Sequence, residues 1–325
     1  MADAGEIKNI NTKLIRCMFK QNETLSKNTL SRETGLSFST INRLVDRLVE
    51  AGELVEMGAG NSTGGRCAQL YALNPMFQVT LSLRLEAAEL KWFVTDLTGY
   101  CLESKTESCE SGVLKTIEEL IRSVQIRYPQ LGAIAMGVAG TVNHGIVTEP
   151  FGYEELRGVD LSAYIRQISS LPTAIEGDMF VASMGYCAGC REVPKAAVCI
   201  YIGQLGIGAG LVIGGNVWRG ASEFAGELHY LPIEKNFEYV ETKFDGADMV
   251  AYYGKIIRSY AALVNPDRVV LYENEFIAGK ADAIRREFSF CLPPQAIPQL
   301  EVSRNFDGDY QLGLASIASD LLERG

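Results

Sequence analysis

The sequence predicts an α/β protein, with a winged helix-turn-helix over residues 1–75 and a larger body of two similar α/β lobes. Three observations predict it. Two helical stretches split by a glycine turn precede a short pair of strand-like runs near the N-terminus. Beyond residue 75, β-branched apolar runs alternate with amphipathic stretches, twice over and in similar order. The segment from Val198 to Ile233 sets apolar runs around Gly203–Gly210 and then makes a polar turn at Gly220–Glu227. Such a strand–glycine–strand unit either cradles a phosphate or sugar with its backbone N–H groups or is a plain hairpin.

The chain has 325 residues, 47% of them apolar, enough for two or three domains with sizeable cores. Its net charge is −10. That excludes non-specific binding of nucleic acid or anionic membrane by the protein as a whole. The charge is uneven. Residues 1–75 hold nine Lys/Arg and eight Asp/Glu, so the acidity lies in the remainder and the small N-terminal module is free to meet DNA. No apolar run reaches membrane-spanning length, and no signal-peptide core is visible at the N-terminus. The eight cysteines are scattered, which suits a reducing cytoplasm. Only Cys187 and Cys190 have CxxC spacing, and without a second pair they read as small semi-buried residues rather than metal ligands.

Ile7, Ile10, Leu14, Ile15 and Met18 recur at helical spacing over residues 7–19. Ser26 is a natural N-cap for a short helix over 27–34, and Gly35 ends it. Ser37 caps the next helix, residues 38–50, with Ile41, Leu44, Val45 and Leu48 on one face. The strand-like runs 54–57 and 68–73 then form a wing whose tip ends at Arg66. In this pattern the second helix enters the DNA major groove. Ser37, Ser39 and Thr40 would contact phosphates or base edges, Asn42 would pair with adenine, and Arg43 would read guanine or hold a phosphate. Arg66 would reach phosphates or the minor groove. A helical protein-contact module is the alternative.

Asn74-Pro75 marks the boundary with the body. Strands follow over 79–85, 90–96 and 131–138, with helices over 113–126 and 161–168. The strand 173–176 ends at Gly177-Asp178 before a helix over 180–189. An acid at a strand end beside a helix N-terminus is a sugar-hydroxyl acceptor, a general base or merely an N-cap. The second half gives strands over 198–202, 211–213, 216–219, 231–234, 268–271 and 301–303, and helices over 247–263, 279–290 and 312–322. The first lobe therefore covers 76–195, with the C-terminal helix 311–325 packing back on it, and the second covers 196–310.

These residues resemble the ROK family of repressors, uncharacterised reading frames and sugar kinases, over nearly the whole chain. Ser62-Thr-Gly-Gly-Arg66 leading into Leu73-Asn-Pro75 is similar to the link from wing to body in the family's repressors. Gly137-Val-Ala-Gly140 resembles its GxPG sugar loop, Glu176-Gly-Asp178 its END triplet, and Gly206-Ile-Gly-Ala-Gly210, with Gly208 at its centre, its second phosphate loop. Gly220–Glu227 resembles its GAxGxAGE turn. The resemblance implies an actin-like, hexokinase-type (ribonuclease H-like) body, a sugar or sugar-phosphate effector, and a homodimer or larger assembly. It implies a sugar site at Gly137, Gly140, Thr141, Asp178 and Glu227, joined by His229 unless that ring simply packs.

The departures matter equally. Where the family's kinases carry DxGGT against ATP phosphates, this chain has Ser82-Leu-Arg84-Leu-Glu86, without glycine and with an acid that repels phosphate. Asp178, aligned with the kinase base, is then a hydroxyl acceptor in a non-enzyme with no cofactor. Tyr230 stands where many members place a zinc-binding His, and no cysteine follows before Cys291, so no metal is expected. The sequence thus points to a cytoplasmic, carbohydrate-responsive transcriptional regulator with operator DNA, a small carbohydrate and a second copy of itself as partners. An ATP-dependent sugar kinase with an added DNA module is the alternative.

Overall fold

A computed structural model describes residues 4–59, 68–86, 88–203, 206–233 and 246–324. The N-terminal module consists of α1 (Ala4–Gln21), β1 (Leu25–Ser26), α2 (Lys27–Thr34), α3 (Phe38–Glu50), β2 (Leu54–Ala59) and β3 (Gln69–Leu73), its strands ordered β1-β3-β2. Ser26 and Ser37 cap α2 and α3 by accepting from the amides of Thr29 and Thr40. Gly35 closes α2 at φ +70°, a conformation that costs a side chain-bearing residue energy. Ile41, Leu44, Val45 and Leu48 are buried as their spacing predicts. The stripe expected on α1 divides: Ile15 is buried with Phe19, whereas Ile10 and Leu14 stay exposed, because α1 presents the Ile15–Phe19 face to the core.

The first lobe contains β4 (Val79–Glu86), β5 (Glu89–Asp96), β6 (Cys101–Ser108), α4 (Val113–Arg127), β7 (Leu131–Val138), a hairpin of β8 (Gly140–Asn143) and β9 (Ile146–Pro150), α5 (Leu161–Ser169), β10 (Thr173–Gly177) and α6 (Asp178–Gly189). The second contains β11 (Ala196–Gly203), β12 (Gly206–Ile213), β13 (Asn216–Trp218), α7 (Gly246–Leu263), β14 (Arg268–Tyr272), α8 (Ala281–Ser289) and β15 (Gln299–Ser303), and the last helix, α9 (Phe306–Arg324), packs back on β4, β7, β10 and α6 of the first. The sheets run β10-β7-β4-β5-β6 and β13-β12-β11-β14-β15. Counted within each sheet, both follow the order 3-2-1-4-5, an antiparallel meander extended by two parallel strands. The duplication read from the order of elements is therefore a duplication of topology.

Each lobe has its own apolar core, and a further core lies between the sheets around α6 and α9. A Cβ at Gly185 of α6 would overlap the carbonyl of Asp309, and one at Gly313 of α9 would overlap that of Val181. The two helices thus touch backbone to backbone. The last helix starts at Phe306 rather than at 312, since Phe306, stacked on Tyr201 at 4.0 Å, and Tyr310 are part of its packed face. The expected strand 231–234 is not formed: a short 3₁₀ turn, Leu228–Tyr230, leads into irregular chain through Ile233, and Glu234 lies outside the described residues. No helix among the described residues is long and apolar enough to cross a membrane.

Candidate functional site

Two surfaces carry the residues singled out above. The first is α3. Ser37, Ser39, Asn42 and Arg43 are exposed there and Thr40 is half-buried. The Ser37 hydroxyl caps the helix and lies 3.0 Å from the Ser39 hydroxyl and 2.9 Å from that of Thr40, so the three share one N-terminal cluster. Asn42 does not present a free amide. Its oxygen accepts from Lys27 at 2.8 Å and its nitrogen donates to Asp46 at 2.9 Å, while Lys27 also pairs with Asp46. Adenine readout by Asn42 would have to break this triad, which corrects the simple reading of that residue. Arg66 lies outside the described residues.

The second is a cleft between the lobes, made of two adjoining chambers open to solvent. Both are lined by Gly140, Asp178 and Glu227. Topology brings them together: Gly140 opens the β8–β9 hairpin, Asp178 is the first residue of α6 after β10, and Glu227 ends the turn that follows β13. Asp178 is not the N-cap of α6, a place taken by Gly177; its own carboxylate accepts from the Met179 amide at 2.7 Å. Burial, with Glu227 and Glu86 nearby, pushes the Asp178 carboxyl up to about 7. Burial also raises Glu227 and Glu176.

Glu227 ties the lobes together by accepting from the Thr141 hydroxyl at 2.9 Å. His229 stands behind it, with Nδ1 3.6 Å from Glu227, too far for a hydrogen bond, and Nε2 3.6 Å from Glu149. His229 is not a wall of either chamber. It packs against Phe151 and Tyr230 beside the Glu227 turn, and its buried Nδ1 has no hydrogen-bond partner. More bonds cross the rim: Asn143 donates to the Ser222 carbonyl, the His144 amide to Glu223, and the Tyr230 hydroxyl to Glu149.

Other expected site residues have structural roles of their own. Gly137 lies inside β7, and a Cβ there would overlap the Tyr310 ring; it makes room for α9, not for a ligand. Gly206, Gly208 and Gly210 are not a loop. They belong to β12, paired with Gly203, Tyr201 and Cys199 of β11. A Cβ at Gly208 would meet Met179 and one at Gly210 would overlap Ser183, so these two glycines admit α6 while also lining the cleft, Gly208 in the second chamber and Gly210 in the first. The signal was present in the spacing of two: Ile207, Ala209 and Leu211 alternate with the glycines and enter the second core. Glu86 does line the second chamber. Arg84 is not available to a phosphate, because its guanidinium binds Asp307 at 2.6 Å and Glu86 at 2.5 Å over the Tyr310 ring.

Two cleft residues went unread in the sequence. Arg219 donates to both oxygens of Glu176 at 2.7 and 2.8 Å and lies 3.7 Å over the Phe180 ring. Trp218 beside it lines the first chamber. Their only signal was adjacency to the Gly220 turn. The CxxC pair lies at the end of α6, with Cys187 buried and its thiol pushed up to about 11. Among the described residues no group of three or more potential ligands is arranged for a metal.

Residues 87–243 match the model of the ROK family. The xylose repressor of Bacillus spizizenii is 28% identical over 247 residues, 73% of this chain and 64% of that protein. A putative xylose repressor of Caldicellulosiruptor sp. is 28% identical over 249 residues, 73% of this chain and 62% of that protein. The matched part is thus less than two thirds of the length of these curated relatives. A ROK family transcriptional regulator, a homolog of the E. coli MLC protein, superposes over 98% of this chain and 97% of its own with a TM-score of 0.75 at 20% identity. The ROK hexokinase of Thermus thermophilus covers 76% of this chain with all of its own, at a TM-score of 0.62 and 16% identity. At these identities the likeness is one of fold, and the body has the two-lobe, actin-like fold that the sequence predicts.

Proposed function

We propose that the chain, whose residues 87–243 match the ROK family model, is a carbohydrate-responsive transcriptional repressor of the cytoplasm and not an enzyme. In this reading α3 enters the major groove of operator DNA, with Ser37, Ser39, Thr40 and Arg43 as its contacts, and two copies bind a two-fold site. A sugar occupies the interlobe cleft, where Asp178 and Glu227 accept its hydroxyls beside Gly140 and Thr141. The names of the relatives make xylose the first sugar to test.

The observation that carries this reading is the joining of the two surfaces. Lys20 of α1 donates to Ser319 at 2.6 Å and to Glu323 at 3.3 Å, and Lys13 pairs with Glu323 at 3.6 Å. Those partners lie on α9, which is locked to α6, and α6 begins at Asp178. A change at the cleft therefore has a stiff path to the DNA module. A sugar moves the operator equilibrium only if it prefers one of two arrangements of that path.

Fluorescence anisotropy of the whole chain on DNA from upstream of its own gene tests the reading. Binding that Arg43→Ala weakens by about 1–3 kcal/mol supports it; no binding, or binding indifferent to Arg43, overturns it. The kinase reading has one observation in its favour, an Asp178 poised near neutral pH in a fold that kinases share. Glu86 and the engaged Arg84 oppose it. ATP turnover on hexoses, abolished in Asp178→Asn, would establish it.

A further inference from the structure

The wall of the first chamber contains an aromatic ring that packing does not require. Trp218 ends β13, the three-residue edge strand of the second sheet, and is 56% exposed. It lines a chamber that also holds four carboxylates, Glu176, Asp178, Glu223 and Glu227, among small and apolar residues such as Gly140, Val217 and Phe180. The one cation among the described lining residues, Arg219, is already bonded to Glu176 and Glu223. Glu86 adds another acid in the adjoining chamber.

A flat apolar surface beside hydroxyl acceptors matches one chemistry. A pyranose ring is apolar on the face carrying axial C–H bonds and polar around its edge. Burying that face against an indole removes apolar surface from water while the edge hydroxyls donate to the acids. An anionic substituent would meet like charges at short range in a partly desolvated cleft. We propose that Trp218 is the stacking platform of the cleft and that the ligand it takes is an uncharged pyranose rather than a sugar phosphate. This rests on the reading of the cleft as a sugar site.

The chain has two tryptophans, which makes the test direct. Trp92 is 1% exposed, so the emission that acrylamide quenches in the native protein is that of Trp218. The full-length chain is titrated with D-xylose, D-glucose, N-acetyl-D-glucosamine and glucose 6-phosphate, by calorimetry and by protection from acrylamide in parallel. A sugar that binds in the calorimeter is expected to shield the quenchable emission. Trp218→Ala should weaken that sugar about tenfold, equivalent to about 1.4 kcal/mol, and Trp218→Phe should restore part of the loss. Both variants should unfold at the wild-type temperature without sugar. Glucose 6-phosphate should bind at least tenfold more weakly than the best neutral sugar. Calorimetric binding with the Trp218 emission unmoved, wild-type affinity in Trp218→Ala, or preference for the phosphate would each overturn the proposal. Absence of any calorimetric binding would overturn the sugar-site reading beneath it.

Discussion

Asp178 is held by the fold in a state that water would not give it. Its carboxyl titrates at about 7, raised chiefly by burial and then by Glu227 and Glu86. A carboxyl whose folded value lies above its unfolded one binds more protons in the folded state. Stability from this source is therefore present at low pH and is lost as pH rises from about 4 to about 7. Sugar binding should run the other way, since an ionised carboxylate is the better hydroxyl acceptor. Sugar affinity is expected to increase between pH 6 and 8, and Asp178→Asn should flatten that dependence; calorimetric titrations at several pH values measure it. An affinity equally pH-dependent in the variant would assign the titration to another group. At this scale the sequence was informative where a motif placed an acid or hydroxyl at an element boundary, as for Thr141, Asp178 and Glu227. It was misleading where a glycine served packing. Gly137 and Gly210 look like ligand-loop glycines, yet each accommodates a helix side chain, Tyr310 or Ser183. Those long-range neighbours leave no local mark on the chain.

Among the elements, α6 and α9 connect the rest. Because they meet through Gly185 and Gly313, a methyl group has no room. Gly185→Ala would drive a Cβ into the Asp309 carbonyl and should destabilise the fold by about 3 kcal/mol or more, as overpacking does at rigid contacts. Urea unfolding measures this, and a variant as stable as wild type would show that the helices can part. The far end of α9 grips α1 through Glu323, which pairs with Lys13 and Lys20. Such partly exposed pairs contribute only about 0–1 kcal/mol to stability, so Glu323→Ala should fold normally. It should keep the separate affinities for sugar and DNA while losing most of the effect of one on the other. Full coupling in that variant would assign transmission to another path. Most elements could be read from periodicity because their buried faces repeat at 3.6 or 2.0 residues. Strand β6 could not, since its sequence, Cys101–Ser108, is largely polar and sits at the sheet edge. The β8–β9 hairpin was hidden by its shortness, and it proves to be the lip of the cleft.

On the scale of the whole molecule, a DNA module near charge balance is carried by a strongly acidic body. The body contributes nothing to phosphate attraction, so the proposed operator binding calls for two modules on one two-fold site. The repeated strand order places two lobes around one helix pair, and the module is fastened to that pair rather than to either sheet. In the proposed reading, the DNA module and the sugar cleft are in this way one mechanical object. The overall plan was legible in the order of motifs along the chain; the fastening was not, because Lys20 and Glu323 lie 303 residues apart. The most direct test is the operator affinity of the full chain, by fluorescence anisotropy near physiological salt, without sugar and with a sugar that calorimetry shows to bind. Affinity should fall by about 5–150-fold at saturating sugar, the range of a 1–3 kcal/mol coupling. Equal affinity in the presence and absence of every sugar that binds would contradict the coupling of cleft to DNA.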